Sequence, residues 1–182
     1  MIQVDDDLDI ATFDVSEIEF ARIRGTAVDF RKPGPPLRCG RGLSLAGFPE
    51  LLREVRSDGS AVFSLYSALP AIEAFSDRDI LTSYDPSRDQ PLMTGIPAPP
   101  LGLNLSGASG GIVLMPDIAD GELSLFAVGL IVGGPKDVLP DEERTSDTLF
   151  VRRIHSIQPD GSIQQVRADG TLAPPSVGWL PR

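Results

Sequence analysis

Apolar and polar residues alternate with a period of two over short stretches, and turn-forming residues separate those stretches. From residue 8 the chain reads Leu-Asp-Ile-Ala-Thr-Phe-Asp-Val-Ser. Ile10, Thr12 and Asp14 fall on one side and Ala11, Phe13 and Val15 on the other, which is the pattern of a strand with one face in a core. Gly42 to Pro49 predicts a short strand ended by glycine and proline. Asp58-Gly59 marks a turn before two segments of mixed apolar character, 61–69 and 71–81, and Ile72 to Ile80 fits a short helix. Two apolar runs follow, Ile112–Met115 and Leu123–Val132, and the Pro-Asp-Ile-Ala-Asp-Gly between them predicts a hairpin with a longish loop. Residues 140–150 are polar and have room for a turn of helix. Ile154–Ile157 and Ser162–Val166 flank Pro159-Asp160-Gly161 and predict a further hairpin. Proline-rich stretches at 32–36, at 91–100 and beyond Gly170 read as loops and a surface tail.

Composition narrows the class. The chain has 182 residues, room for one large domain or for one and part of another, and 41% of them are hydrophobic, enough to form a core. Gly 18 and Pro 17 are high counts for a helical protein and suit many short strands joined by turns. A net charge of -10 repels nucleic acid and anionic lipid, so neither is expected as a partner. Cys39 is the single cysteine, so no intrachain disulfide can form. No apolar run approaches the roughly 20 residues of a membrane span. Residues 1–20 lack the basic start and apolar stretch of a signal peptide, so a cytoplasmic chain is expected.

The stretch with chemistry in it is Leu105-Ser106-Gly107-Ala108-Ser109-Gly110-Gly111. Glycines around a serine let the backbone turn tightly enough for successive N–H groups to face one spot, where they can hold the negative charge that develops on an attacked carbonyl. The bland alternative is a glycine-rich turn between strands. The same residues fit the Gly-x-Ser-x-Gly elbow of α/β-hydrolases, but that elbow leads into a helix, and here Ile-Val-Leu-Met follows with no helical period and no βαβ alternation.

Gly107-Ala108-Ser109-Gly110-Gly111, an apolar strand, a turn, and Phe126-Ala127-Val128-Gly129-Leu130-Ile131-Val132-Gly133-Gly134 together resemble the C-terminal barrel of trypsin-like serine proteases. Two further pieces match in order. Asp9-Ile10-Ala11 resembles the segment carrying that family's triad Asp, and Gly47-Phe48-Pro49 resembles a Gly-(Tyr/Phe)-Pro found after the first barrel in bacterial members. The resemblance implies an all-β fold of chymotrypsin-like antiparallel β-barrels. The C-terminal barrel would be complete over 51–182, with the Ser and a hairpin tail, and residues 1–50 would be a partial N-terminal barrel with the Asp. It implies Ser109 as nucleophile, the N–H groups of Gly107 and Ser109 as oxyanion hole, and Asp9 as the group that orients a general base, the template roles of a serine triad. Leu103, Asn104, Val132, Gly133 and Gly134 would border the substrate pocket. The expected ligand is a peptide or protein substrate, with no cofactor and no metal.

The pattern departs from the family at the base. The His should precede the Asp by some tens of residues, and the residues before Asp9 contain none. The sole histidine, His155, follows Ser109 and reads as a hairpin residue at a strand surface. A serine hydroxyl without its base is a poor nucleophile, and losing the His of a triad costs on the order of 10⁶ in turnover. The expectation is an N-terminally truncated serine endopeptidase, inactive alone. The alternatives are a non-catalytic protease-like domain that binds a peptide or partner, and a β-domain in which the loop is only a turn. A partner would then cover the open edges of the incomplete N-terminal barrel. Smaller departures are Ala108, where many animal members carry an Asp that pairs with a new N-terminus, Val132, where a Ser often holds the triad Asp, and the apolar Leu103, which favours neutral side chains.

Overall fold

Period-two alternation decides where most of the strands form. The structure is a computed structural model that describes residues 3–23, 27–28, 34–84, 105, 107–133, 147–158 and 160–164. Its strands are β1 (Gln3–Asp5), β2 (Ile10–Thr12), β3 (Ser44–Gly47), β4 (Arg53–Val55), β5 (Ala61–Phe63), β6 (Tyr66–Ala68), β7 (Ile72–Phe75), β8 (Asp79–Tyr84), β9 (Ile112–Ala119), β10 (Glu122–Gly133) and β11 (Asp147–Arg153). Helix α1 spans Glu17–Ile23, and single 3-10 turns lie at Glu50–Leu52 and Ile154–Ser156. Leu45, Ile80, Val113, Met115, Ile131 and Leu149 alternate with exposed or half-buried neighbours and form one core, joined by Leu43, Ile72, Leu105, Ala108 and Val151. Each large side chain so removed from water contributes about 1.5–3 kcal/mol. Thr82 is buried in the same layer, and its hydroxyl donates to the Ala71 carbonyl at 2.7 Å, so no polar atom is stranded there.

The core lies on a seven-stranded sheet of order β6-β3-β9-β10-β11-β8-β7, all of its ladders antiparallel. β1–β2 and β4–β5 are separate two-stranded hairpins. This corrects the expected architecture. Among the described residues the complete C-terminal barrel of a chymotrypsin-like fold is not formed, and the trypsin-like and β-barrel descriptions fall with it, because the sheet is an open half-barrel with end strands β6 and β7. Residues just before β3 reach toward those ends through Leu43 N to Pro70 O, Ile72 N to Arg41 O and a lone Gly42–Ala71 bridge. No ladder grows from them. Buried Pro70 lies between β6 and β7, has no N–H to donate, and breaks the run at that point. β3 comes from the segment expected to belong to another barrel, yet it pairs with β6 and β9.

Other local expectations also change. Ile72 to Ile80, read as a short helix, is β7, a turn and the start of β8, because its apolar residues find partners across the sheet. The β9–β10 connection is a tight Asp120-Gly121 turn, not a long loop, with φ of 54° and 81°, the left-handed pair a two-residue hairpin requires. Of the hairpin expected from Ile154–Ile157 and Ser162–Val166, the first arm begins as a 3-10 turn, and the described residues then pair through the Ile157–Ile163 bridge with Gln158 N to Ser162 O and Gln164 N to Ser156 O, both at 2.8 Å; residues 159, 165 and 166 lie outside the described residues. The strand pattern at 8–20 holds only to Thr12. Beyond it Ser16 and Glu19 form a capping box, Ser16 N and Oγ donating to Glu19 Oε2 at 3.0 and 2.6 Å, and α1 begins. Residues 140–146 lie outside the described residues.

Candidate functional site

Leu105 to Gly111 forms two consecutive tight turns. Ala108 N donates to Leu105 O and Gly111 N to Ala108 O, both at 2.9 Å. The third residue of each turn is a glycine with positive φ, Gly107 at 86° and Gly110 at 83°, the geometry of a type II turn, which a side chain would strain. The second turn is tied to β10 by Gly110 N to Ile131 O at 2.7 Å and Ile131 N to Gly111 O at 2.8 Å. Ala108 is buried beneath the loop, and Ser109 stands exposed at its head. Among the described residues, the N–H groups of Gly107 and Ser109 donate to no protein acceptor, and the Ser109 hydroxyl has no partner.

The loop is seated on the segment that follows β3. A Cβ added to Gly47 would lie 2.8 Å from the Ala108 Cβ, and one added to Gly107 would lie 2.9 Å from the Glu50 N. One added to Gly111 would run into the Ala46 carbonyl. Gly47-Phe48-Pro49 and Gly107 to Gly111, distant in sequence, are therefore in contact. Both motifs are legible in the sequence, but Gly47 and Glu50 as neighbours of the loop are not, since nothing in a single chain of letters pairs them.

Asp9 lies elsewhere in the local order. It occupies the turn between β1 and β2, exposed, with φ of 53°. Buried Asp5 accepts the Leu8 N–H at 2.9 Å and shapes that turn, while Leu8 and Ile10 pack on Ile163 and Ile157. The Arg152 guanidinium donates to the carbonyls of Leu8 and Asp7, and its Nε pairs with Asp79 Oδ1 at 2.6 Å. Arg78 also donates to the Asp7 carbonyl. The turn carrying Asp9 is thus clamped to β11 and β8, whereas the Ser109 loop is pinned to β10. No hydrogen bond joins Asp9 to Ser109, and Asp9 has no ion-pair partner among the described residues. The two seats are linked through the sheet, since Ile131 bonds the loop and its neighbour Leu130 is paired with Arg152.

His155 sits in the 3-10 turn after β11, partly exposed. Packing around its base, then the nearby Arg153 charge, hold its pKa below the ordinary histidine value, against a smaller opposing pull from Asp77. No hydrogen bond connects it to Ser109 among the described residues. Val132 is half-buried near the end of β10, and Gly133 ends that strand at a bulge. Leu103, Asn104 and Gly134 lie outside the described residues. Among those described, no group of three or more His, Cys, Asp or Glu could hold a metal ion, and no helix is long and apolar enough to cross a membrane.

The arrangement offers two amide donors and one hydroxyl on a rigid double turn. Such a group of donors can hold a carbonyl or carboxylate oxygen. Among the described residues, no base is in contact to remove the hydroxyl proton. No family model, no curated protein and no solved structure matches this chain.

Proposed function

We propose that this chain binds an extended peptide or partner segment across the Gly107–Gly111 loop, as the acyl-binding half of a serine endopeptidase site, and releases it uncut. The observation that carries the reading is the pair of N–H groups on Gly107 and Ser109 that have no acceptor among the described residues, beside an exposed serine hydroxyl. Main-chain donors recognise the peptide carbonyl, which every sequence shares, and so give affinity before any side chain contributes. Turnover needs more. The Ser109 proton has no acceptor among the described residues, and a hydroxyl of ordinary acidity attacks a carbonyl too slowly to matter.

The test is a pair of measurements on the purified chain. A fluorophosphonate probe is expected to leave Ser109 unlabelled over hours, while fluorescence polarisation detects binding of labelled peptides. Ser109→Phe fills the space above the loop from an exposed position, so it should abolish peptide binding without moving the melting temperature. Rapid labelling of Ser109 would mean that the serine is activated after all and that the chain hydrolyses its ligand. Peptide binding untouched by Ser109→Phe would remove the loop from the account.

A further inference from the structure

β9 and β10 run on together past the strands that flank them. β3 pairs with β9 only at Val113 and Leu114, and β11 pairs with β10 only from Gly129 upward, whereas the β9–β10 ladder continues to its Asp120-Gly121 turn. β11 leaves the lane beside β10 after Arg153, and the 3-10 turn at Ile154–Ser156 packs at the head of that lane. Among the described residues no strand lies beside β10 from Glu122 to Phe126 on the side away from β9. In a two-residue hairpin the closing pair, here Ala119 and Glu122, is hydrogen-bonded, and the bonds then alternate along the ladder. Glu122, Ser124 and Phe126 therefore bond to β9, and Leu123 and Leu125 turn their N–H and C=O groups to the open lane. Past the bulge between Ala127 and Gly129 the alternation reverses, and Ile131 faces the β9 side through its bonds to Gly110 and Gly111. The side chains of Leu123, Leu125 and Ile118 share the face away from the Met115 core and are 65%, 51% and 73% exposed in that order.

The two edges of this ribbon are not alike. On β9, Pro116 stands where the strand would donate outward, and Arg41, from the residues leading into β3, bonds Asp117 on that side. β10 has no proline and no charged residue from Leu123 to Gly133. We infer that the open edge of β10 is a self-association site, where a second copy of this chain adds its own β10 antiparallel about a two-fold axis at Ser124. That register sets Leu123 against Leu125 of the second copy and Leu125 against its Leu123, with main-chain bonds exchanged in both pairs. The leucines then cover one another on the outer face. Glu122 faces Phe126 of the second copy, so no carboxylate in the ladder meets another. Two chains of net charge -10 approach at least cost along such a neutral stretch. Edge against edge, the pairing closes at two copies. A ladder this short covers less than the roughly 800 Å² a side of a standard interface, so the dimer forms weakly and reversibly.

Sedimentation velocity on the full chain, from about 10 µM to about 1 mM, tests this; a rising dimer fraction is expected, and a tighter dimer at higher salt because the two chains repel. Leu125→Pro removes an outward N–H and no bond to β9, so it weakens the dimer by about tenfold or more while the dilute chain keeps its melting temperature. Ile118→Gln alters the same apolar face outside the lane and leaves the dimer within about twofold of native strength. The register is read by cross-linking in a Cys39→Ser background. Ser124→Cys stands opposite itself at a non-hydrogen-bonded pair and forms a disulfide dimer under mild oxidation, and Glu122→Cys, opposite Phe126, does not. A chain that stays monomeric across this range, a dimer indifferent to Leu125→Pro, or equal cross-linking of the two cysteine variants would overturn the edge pairing. Loss of the dimer in Ile118→Gln would make it a contact between faces and overturn it as well.

Discussion

Glycine serves two different physical purposes within the loop and the strand that supports it. At Gly110 the need is conformational, since it holds positive φ with nothing within 4 Å of an added Cβ, and Gly107 combines positive φ with a Cβ position 2.9 Å from the Glu50 N. At Gly111 the need is space, because an added methyl would meet the Ala46 carbonyl and lie 2.8 Å from that of Ala108, neither of which can move without breaking the seat of the loop. Gly42 has neither constraint, with nothing within 4 Å of an added Cβ. Gly111→Ala is therefore expected to cost about 3 kcal/mol, as overpacking against backbone does. Gly42→Ala should be neutral or stabilising by about 0.5 kcal/mol through the unfolded chain. Urea denaturation of the two variants measures both; similar losses would show that the seam between the loop and β3 is looser than described. The Gly-x-Ser-Gly-Gly pattern was legible in the sequence, whereas the separate reason for each glycine required the neighbours.

At the scale of elements, the β1–β2 hairpin is too short to stand alone and depends on what grips it. The grip is Arg152, buried, which donates to two carbonyls of the hairpin turn and pairs with Asp79. Its own small cluster, Leu8, Ile10 and Ile163, adds an apolar contact. Arg152→Met removes the donors and leaves the Asp79 carboxylate, among the described residues, with only the longer Arg78 contact, 3.8 Å away. A loss of about 2–4 kcal/mol follows. Amides of residues 3–12 should then exchange with solvent faster while those of β9 and β10 keep their protection. Undiminished protection of the hairpin in this variant would show that the apolar cluster alone holds it. Asp9 rides on this hairpin, so Arg152 also sets where that carboxylate stands. Its role was hidden in the sequence, where Arg152 is one arginine in an Arg-Arg pair at the end of an apolar run.

Across the whole molecule, the shifted groups all make acid destabilising, in two separate windows. His155 has its pKa lowered in the folded state, so its contribution to stability is complete above the ordinary histidine value and is lost as pH falls, when the unfolded chain takes up a proton that the folded chain resists. Glu19, Asp58 and Asp160 are held below the ordinary carboxylate value by the hydroxyls, then the amides, of Ser16, Ser60 and Ser162, so their effect begins only in much stronger acid. The urea midpoint should therefore decline between about pH 7 and about pH 5.5 in the native chain and stay flat over that range in His155→Gln. An equal decline in both would assign the slope to another group.

The alternation of apolar residues determined, without help, that this is a β-rich chain with strands near 10–12, 44–47 and 112–132, since period two is a local property of each segment. The glycine spacing marked the loop that stands exposed. Closure of the sheet was decided elsewhere. Whether seven strands form a barrel or an open half-barrel depends on a few long-range hydrogen bonds near Pro70, and no local pattern records which distant edges will meet. The same holds for the site. Ser109 was legible because its glycines are adjacent in the chain, while the partnership of its loop with Gly47 and Glu50, and the placement of Asp9 on the Arg152 clamp, arise only when strands separated by tens of residues are packed side by side.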